Sequence, residues 1–270
     1  MNIVASLFAA LLLPAAMLDA KPVRELTIST FPIADDPLFV TCQKVLEEAY
    51  RRIGIHMKLV AMPGERSLIS ANSGETDGDL CQMKGGLKTY RNLVEVPHPL
   101  AQAEIVAFST RQLNIRTWKD LRPYLIDYER GVKVVEQNTV GMKAIPTNSM
   151  EVGFRKMLAG HADVHIDAKT SGLFMLNRIG YRHIYISAPL NIHSMQHHLY
   201  IKHRELVDKL NAALEQMQQD GSIARIDHSV NSPWQCAPSE RDSSRTSVTL
   251  PSCSVPFTSA QKPRLAHRQW

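Results

Sequence analysis

Between residues 25 and 83, short apolar runs alternate with stretches whose apolar residues recur every three or four positions. Glu25 to Thr30 has the length and β-branched character of a strand. Leu38, Cys42, Val45, Leu46, Ala49 and Ile53 then fall on one helical face that ends at Gly54. His56 to Met62 is a second strand, Pro63 opens a helix that stops at Gly74, and Gly78 to Met83 is a third strand. Strands alternating with helices over short connections predict a parallel α/β sheet wound in the right-handed sense.

The pattern resumes after residue 110 with unrelated residues. Thr117 and Asp120 have the spacing of a capping box. Tyr124 to Tyr128 is a strand, Val132 to Gln137 a helical turn, and Lys143 to Thr147 another strand. Asn148 is placed to cap a helix that buries Met150, Phe154, Met157 and Leu158 and closes at Gly160. Ala162 to Ile166 and Lys169 to Arg178 give one more strand and helix. The chain thus divides into two α/β lobes. Glu104 to Ser109 is the outgoing crossing between them, the long β-rich run from Ile184 to Ile201 is the return, and Leu206 to Met217 is a closing helix. Two antiparallel crossings make a hinge.

Both ends depart from this texture. Ile3 to Leu18 holds 16 uncharged residues interrupted by Pro14, short for a spanning helix and of the kind found in a secretory signal peptide, a retained anchor being the alternative. From Gln235 onward seven Ser and four Pro accompany no apolar period, which predicts a disordered tail. The expected organisation is a signal at 1–20, lobe 1 at 21–108 completed by 192–234, lobe 2 at 109–191, and a tail at 235–270. No second long apolar run is present, so the mature chain is expected to be soluble.

Composition sharpens this picture only modestly. The 270 residues are 44% hydrophobic and 21% charged, a globular balance that excludes coiled-coil, collagen-like and disordered chains. Of the net charge of +5, residues 21–234 contribute 26 basic against 23 acidic groups, too even for a nucleic-acid surface. Cys42, Cys81, Cys236 and Cys253 have no zinc-ligand spacing. In an oxidising compartment they are free to pair in an order the sequence does not fix, while Cys42 and Cys81 read more simply as small buried hydrophobes.

Five passages in register carry a resemblance: PGERSLISANSGETDGDL (63–80), TYRNLVEVPHPLAQAEIVAFST (89–110), TWKDLRPYLIDYERGVKVVEQNT (117–139), MEVGFRKMLAGHADVHID (150–167) and LYIKHRELVDKLNAALEQMQQDGSIARI (199–226). Together they resemble bacterial extracytoplasmic solute-binding proteins of family 3, which include amino-acid receptors of ABC transporters. The resemblance implies a type II periplasmic binding protein-like fold, a monomer in the periplasm, a small solute bound between the lobes, a membrane permease as partner, and no cofactor. Where relatives carry Arg two residues after the DGDL segment, this chain has Gln82. Arg91 lies near the place where classical members bind a ligand carboxylate.

The site follows from the strand ends, because ligands of open α/β sheets lie beyond the carboxyl ends of the strands. Phe31 and Pro32, Glu65 and Arg66, and Gln82 are the lobe 1 candidates; Glu129 to Gly131, Thr147, Asn148 and Asp167 are those of lobe 2. Arg66 suits a carboxylate, or else a surface salt bridge with Glu65 or Glu75. Asp167 suits an ammonium group, as acidic residues near this place do in amino-acid-binding relatives, or else caps the next helix. Phe31 stacks on a ligand or joins the core, and Gly131 admits a ligand to the backbone or simply makes a turn. The expected solute is an amino acid or small carboxylate.

Competing chemistries have less behind them. Seven of the eleven histidines lie between His161 and His203, which raises metal binding; yet His197 and His198 fall on opposite faces of a strand. No GxSxG, HExxH, Walker or GxGxxG motif is present, so no enzyme is expected. A sensor reporting to a membrane receptor remains a second reading of the same fold.

Overall fold

The computed structural model describes residues 24–31, 35–62, 65–85, 87–231 and 247–249. The expected signal segment and nearly all of the expected tail lie outside the described residues. In chain order the elements are β1 (Arg24–Thr30), α1 (Pro37–Arg52), β2 (Ile55–Ala61), α2 (Arg66–Ser73), β3 (Gly78–Met83), β4 (Leu93–Glu95) and β5 (Ala101–Ser109). A 3₁₀ turn at Trp118–Leu121 leads to β6 (Ile126–Glu129), α3 (Lys133–Asn138), β7 (Ala144–Thr147), α4 (Met150–Leu158), β8 (Val164–Ala168) and α5 (Lys169–Arg178). Then come β9 (His183–Ile186), β10 (Asn191–Tyr200), a second 3₁₀ turn, α6 (Val207–Gln219), α7 (Ser222–Asn231) and β11 (Ser247–Thr249).

The strands run in the order β2-β1-β3-β10-β5-β8-β6-β7. In one half β1 pairs parallel with β2 and β3; in the other β6 pairs parallel with β7 and β8. The antiparallel strands β10 and β5 join the halves. Asn191 to Met195 of β10 face Ile105 to Ala101 of β5, β10 continues against β3, and β5 continues against β8. Two crossing strands therefore form the hinge of a two-lobed α/β fold. Gly78 shows how closely β10 is seated on lobe 1, since a Cβ there would lie 2.4 Å from the His198 carbonyl oxygen.

Local chemistry explains most element ends. Pro37 occupies the first turn of α1, where its missing N–H costs nothing, and the Asp36 carboxylate accepts from Leu38 N at 2.9 Å. The helix buries Leu38, Cys42, Val45, Leu46 and Ala49 against the sheet. Cys42 and Cys81 are buried free thiols. Thr117 and Asp120 form the reciprocal capping box that their spacing predicts.

Several boundaries differ from the sequence reading. Ser149, not Asn148, caps α4: its extended backbone brings Oγ to accept from Val152 N at 3.3 Å, whereas Asn148 is exposed. Ser149→Ala is therefore expected to cost about 1 kcal/mol in urea unfolding, and Asn148→Ala under about 0.5 kcal/mol. Strand β8 begins two residues later than expected, because the closing turn of α4 extends through His161, whose N–H donates to the Lys156 carbonyl. The run from Ile184 to Ile201 is two strands, broken around Pro189, which cannot donate to a ladder. Helix α7 was not anticipated beyond Gly221. Within the expected tail, Ser247–Thr249 pairs with β9.

Among the described residues no helix is long and apolar enough to cross a membrane.

Candidate functional site

The carboxyl ends of β1, β3, β6 and β8 face one interlobe cleft of about 560 Å³, including its open mouth. Lobe 1 contributes Phe31, Leu38, Phe39 and Cys81 to Met83; lobe 2 contributes Glu129, Gly131 to Val134, Met150 and Asp167; Met195 comes from the hinge strand β10.

Four of the six sequence candidates meet here. Phe31 is buried and sits edge-on to Phe39, with centroids 5.8 Å apart. Gln82 is buried, and its Nε2 donates to Asp79 Oδ1 at 2.9 Å. Gly131 has φ 99° and donates its N–H to Glu136, so it serves the turn while also lining the cleft. Asp167 Oδ1 accepts from the N–H of Ala168, at 2.6 Å, and Ala168 itself is the N-cap of α5. The carboxylate therefore does not cap that helix. Its Oδ2 is buried without a hydrogen-bond partner. The other two candidates lie elsewhere: Arg66, first residue of α2, and Arg91 are exposed and do not line the cleft.

The cleft is acidic. Burial, followed by the charges of Asp167 and Asp36, pushes the Glu129 carboxyl up to about 8, although His165 and the Met150 N–H, 3.2 Å away, pull the other way. Burial likewise raises Asp36 to about 7, against the hydrogen bonds from Ser171 and Leu38. Behind Asp167 on the same strand, His165 is wholly buried; its Nδ1–H donates to Asp127, and its Nε2 lies 3.5 Å from Asp167 Oδ2. Burial disfavours the imidazolium, but these two carboxylates outweigh it and lift His165 to about 9. Helix α4 seats on this imidazole through Gly153, where a Cβ would lie 2.5 Å from His165 Cε1.

Among the described residues of the lining Lys133 is the one cation, and the sequence reading missed it. Its Nζ donates to Glu65 Oε1 of lobe 1 at 2.5 Å and to Glu136 at 2.9 Å, and Tyr90 OH donates to the same Glu65 oxygen at 2.6 Å. A second interlobe contact joins Ser171 Oγ to Asp36 at 3.0 Å. Only the Lys133–Glu136 spacing is visible in the sequence; the interlobe partner requires closure.

The histidine-rich segment serves other ends. His197 Nδ1–H donates to the Asp79 carbonyl and its Nε2 accepts from Tyr50 OH at 2.8 Å, and burial depresses its pKa to about 3. His198 instead lies 3.7 Å from Glu95. Among the described residues no group of three or more His, Cys, Asp or Glu side chains is arranged to hold a metal ion.

No protein-family model matches the chain, and no curated protein matches it. Solved structures do. A mutant of ArgBP from T. maritima is 16% identical with TM-score 0.64, covering 77% of this chain and 95% of that one. The substrate binding protein of an amino acid ABC transporter is 14% identical with TM-score 0.64, covering 76% and 98%. A histidine kinase sensor domain with similarity to periplasmic binding proteins is 15% identical with TM-score 0.66, covering 76% and 95%. The chain has the two-lobed, periplasmic-binding-protein-like α/β fold, with its strand ends gathered around an interlobe cleft.

Proposed function

We propose that the chain is an extracytoplasmic solute-binding protein that captures a small polar solute of amino-acid size. The solute enters the open cleft, touches both lobes, and stabilises the closed form by contacts the open form lacks. A membrane permease then reads the closed form. The observation that carries this reading is the convergence of Phe31 and Gln82 from one lobe with Glu129, Gly131 and Asp167 from the other on one cleft. Similarity to an ABC transporter's substrate binding protein supports the permease as partner. In this reading residues 1–20 direct export to the periplasm, the protein acts as a monomer, and it binds its solute without transforming it.

A sensor signalling to a membrane receptor is the second reading, favoured by the similarity to a histidine kinase sensor domain. Both readings require the same binding event. A thermal-shift screen of the full chain against amino acids, organic acids, polyamines and divalent metals checks it. A true ligand at 100 times its Kd is expected to add about 2.7 kcal/mol of stability. A shift with metals alone would replace the organic-solute reading.

A further inference from the structure

Building on the solute-binding reading, we propose that the ligand is an organic amine cation without a carboxylate. Its ammonium lies between Glu129 and Asp167, and its hydrocarbon body rests on the apolar wall of Phe31, Phe39 and Met150.

Three observations converge on this class. First, among the described residues the lining offers two carboxyl groups and a single cation, and that cation is already bound: Lys133 is occupied by Glu65 and Glu136. A ligand carboxylate entering here meets the carboxyl groups of Glu129 and Asp167 with no lining cation released to receive it. Arg66 and Arg91, the residues suited to a carboxylate, are exposed and outside the lining. Gln82 stands on the cleft wall, and its amide donates to Asp79. Second, Asp167 Oδ2 is buried without a hydrogen-bond partner, and Glu129, 4% exposed, accepts from Met150 N. An acceptor left as Asp167 Oδ2 is costly until a donor arrives, and an ammonium brings N–H donors and a second positive charge beside the His165 ring, whose Nε2 lies 3.5 Å from that oxygen. Third, no metal-binding group of three side chains exists among the described residues, while the wall beside the carboxyls is aromatic and thioether. That surface accepts a carbon chain or ring.

A lining carboxyl kept protonated toward neutral pH by burial, as Glu129 is, suits the same occupant. A cation placed beside it makes ionisation favourable and releases a proton on binding.

Matched pairs that differ only by a carboxylate test the class: 1,5-diaminopentane against lysine, agmatine against arginine, and 2-phenylethylamine against phenylalanine. Each is titrated into the full chain at pH 8 by calorimetry. In at least one pair the amine is expected to bind more than tenfold tighter than its amino acid. Glu129→Gln and Asp167→Asn are each expected to weaken that amine about 10- to 100-fold. Both replacements are near-isosteric, and circular dichroism verifies folding; if one variant fails to fold, the other supplies the measurement. If no pair reaches a tenfold preference while an amino acid binds, the amine class is overturned and the solute-binding reading stands. If neither these compounds nor the wider solute panel binds, both are overturned. Unchanged amine affinity in the folded variants overturns the placement of the ammonium.

Discussion

Asp127→Ala is expected to lower the unfolding free energy by about 3–5 kcal/mol, read as a displaced urea midpoint with little change in slope. Asp127 and His165 are both almost completely buried, facing each other across the parallel pair β6–β8, and the imidazole proton on Nδ1 goes to Asp127. Removing the carboxylate leaves a buried cation balanced by Asp167 alone, 3.5 Å from Nε2, and the ring must either lose its proton or stay charged against a desolvation penalty of several kcal/mol. Repacking gives little relief: Phe154 sits 4.2 Å from the ring by centroids, and Gly153 of α4 holds the helix against it. Asp127→Asn keeps an acceptor for Nδ1–H and is expected to cost less. The His165 ring resonances in Asp127→Ala should report a pKa well below about 9. A stability loss under about 1 kcal/mol would mean that the pair carries no charge in the folded protein. The cleft feels the same change, because His165 is the cation nearest Asp167 and pulls down Glu129 as well.

That pair also marks where sequence reading stops. Periodicity is a local property, so the alternation from Glu25 to Met83, the glycine stop at Gly74 and the Thr117–Asp120 cap were legible and are present. The strand-end rule needs only element order, and it brought Phe31, Gln82, Gly131 and Asp167 to one cleft. Arg66 and Arg91 failed to join them because residue type declares charge but not direction. Arg66 opens α2 and is exposed, while Glu65 one residue earlier reaches Lys133. The contacts that give the cleft its character join residues 38, 68 and 135 positions apart. Those separations are set by sheet register and by lobe closure, neither of which leaves a period in the sequence. Ser149 displaced Asn148 for a smaller reason. Both residue types cap helices, and the choice between neighbours depends on where the extended backbone of β7 ends.

Between pH 6.5 and 8.5 the free protein is expected to lose about 2–5 kcal/mol of stability, with each responsible group contributing at most about 1.4 kcal/mol per unit. Three groups set the sign. Glu129 moves from 4.5 unfolded to about 8 folded, Asp36 from 3.8 to about 7, and His165 from 6.5 to about 9. A raised folded pKa means that the native state binds more protons than the unfolded state. Each contribution is therefore complete below the unfolded value and lost as the pH rises through the folded one. The groups facing Glu129 are Asp167 and His165 on β8, Asp36 before α1, and the Met150 N–H of α4. His197 works in the opposite direction, but its folded pKa of about 3 makes its contribution complete above 6.5. Glu48 and Asp220, drawn down to about 2 by hydrogen bonds that include those from arginines, matter only in acid. Urea unfolding at the two pH values checks the sign, and Glu129→Gln should flatten the fall. A stability that holds level or climbs over this range would show that the carboxyls are already compensated in the empty cleft. An amine ligand supplies that compensation itself, so the stabilisation it adds should be larger at pH 8.5 than at 6.5. The ligand then opposes the pH trend of the free protein, which separates a cation seated between Glu129 and Asp167 from one bound at the surface.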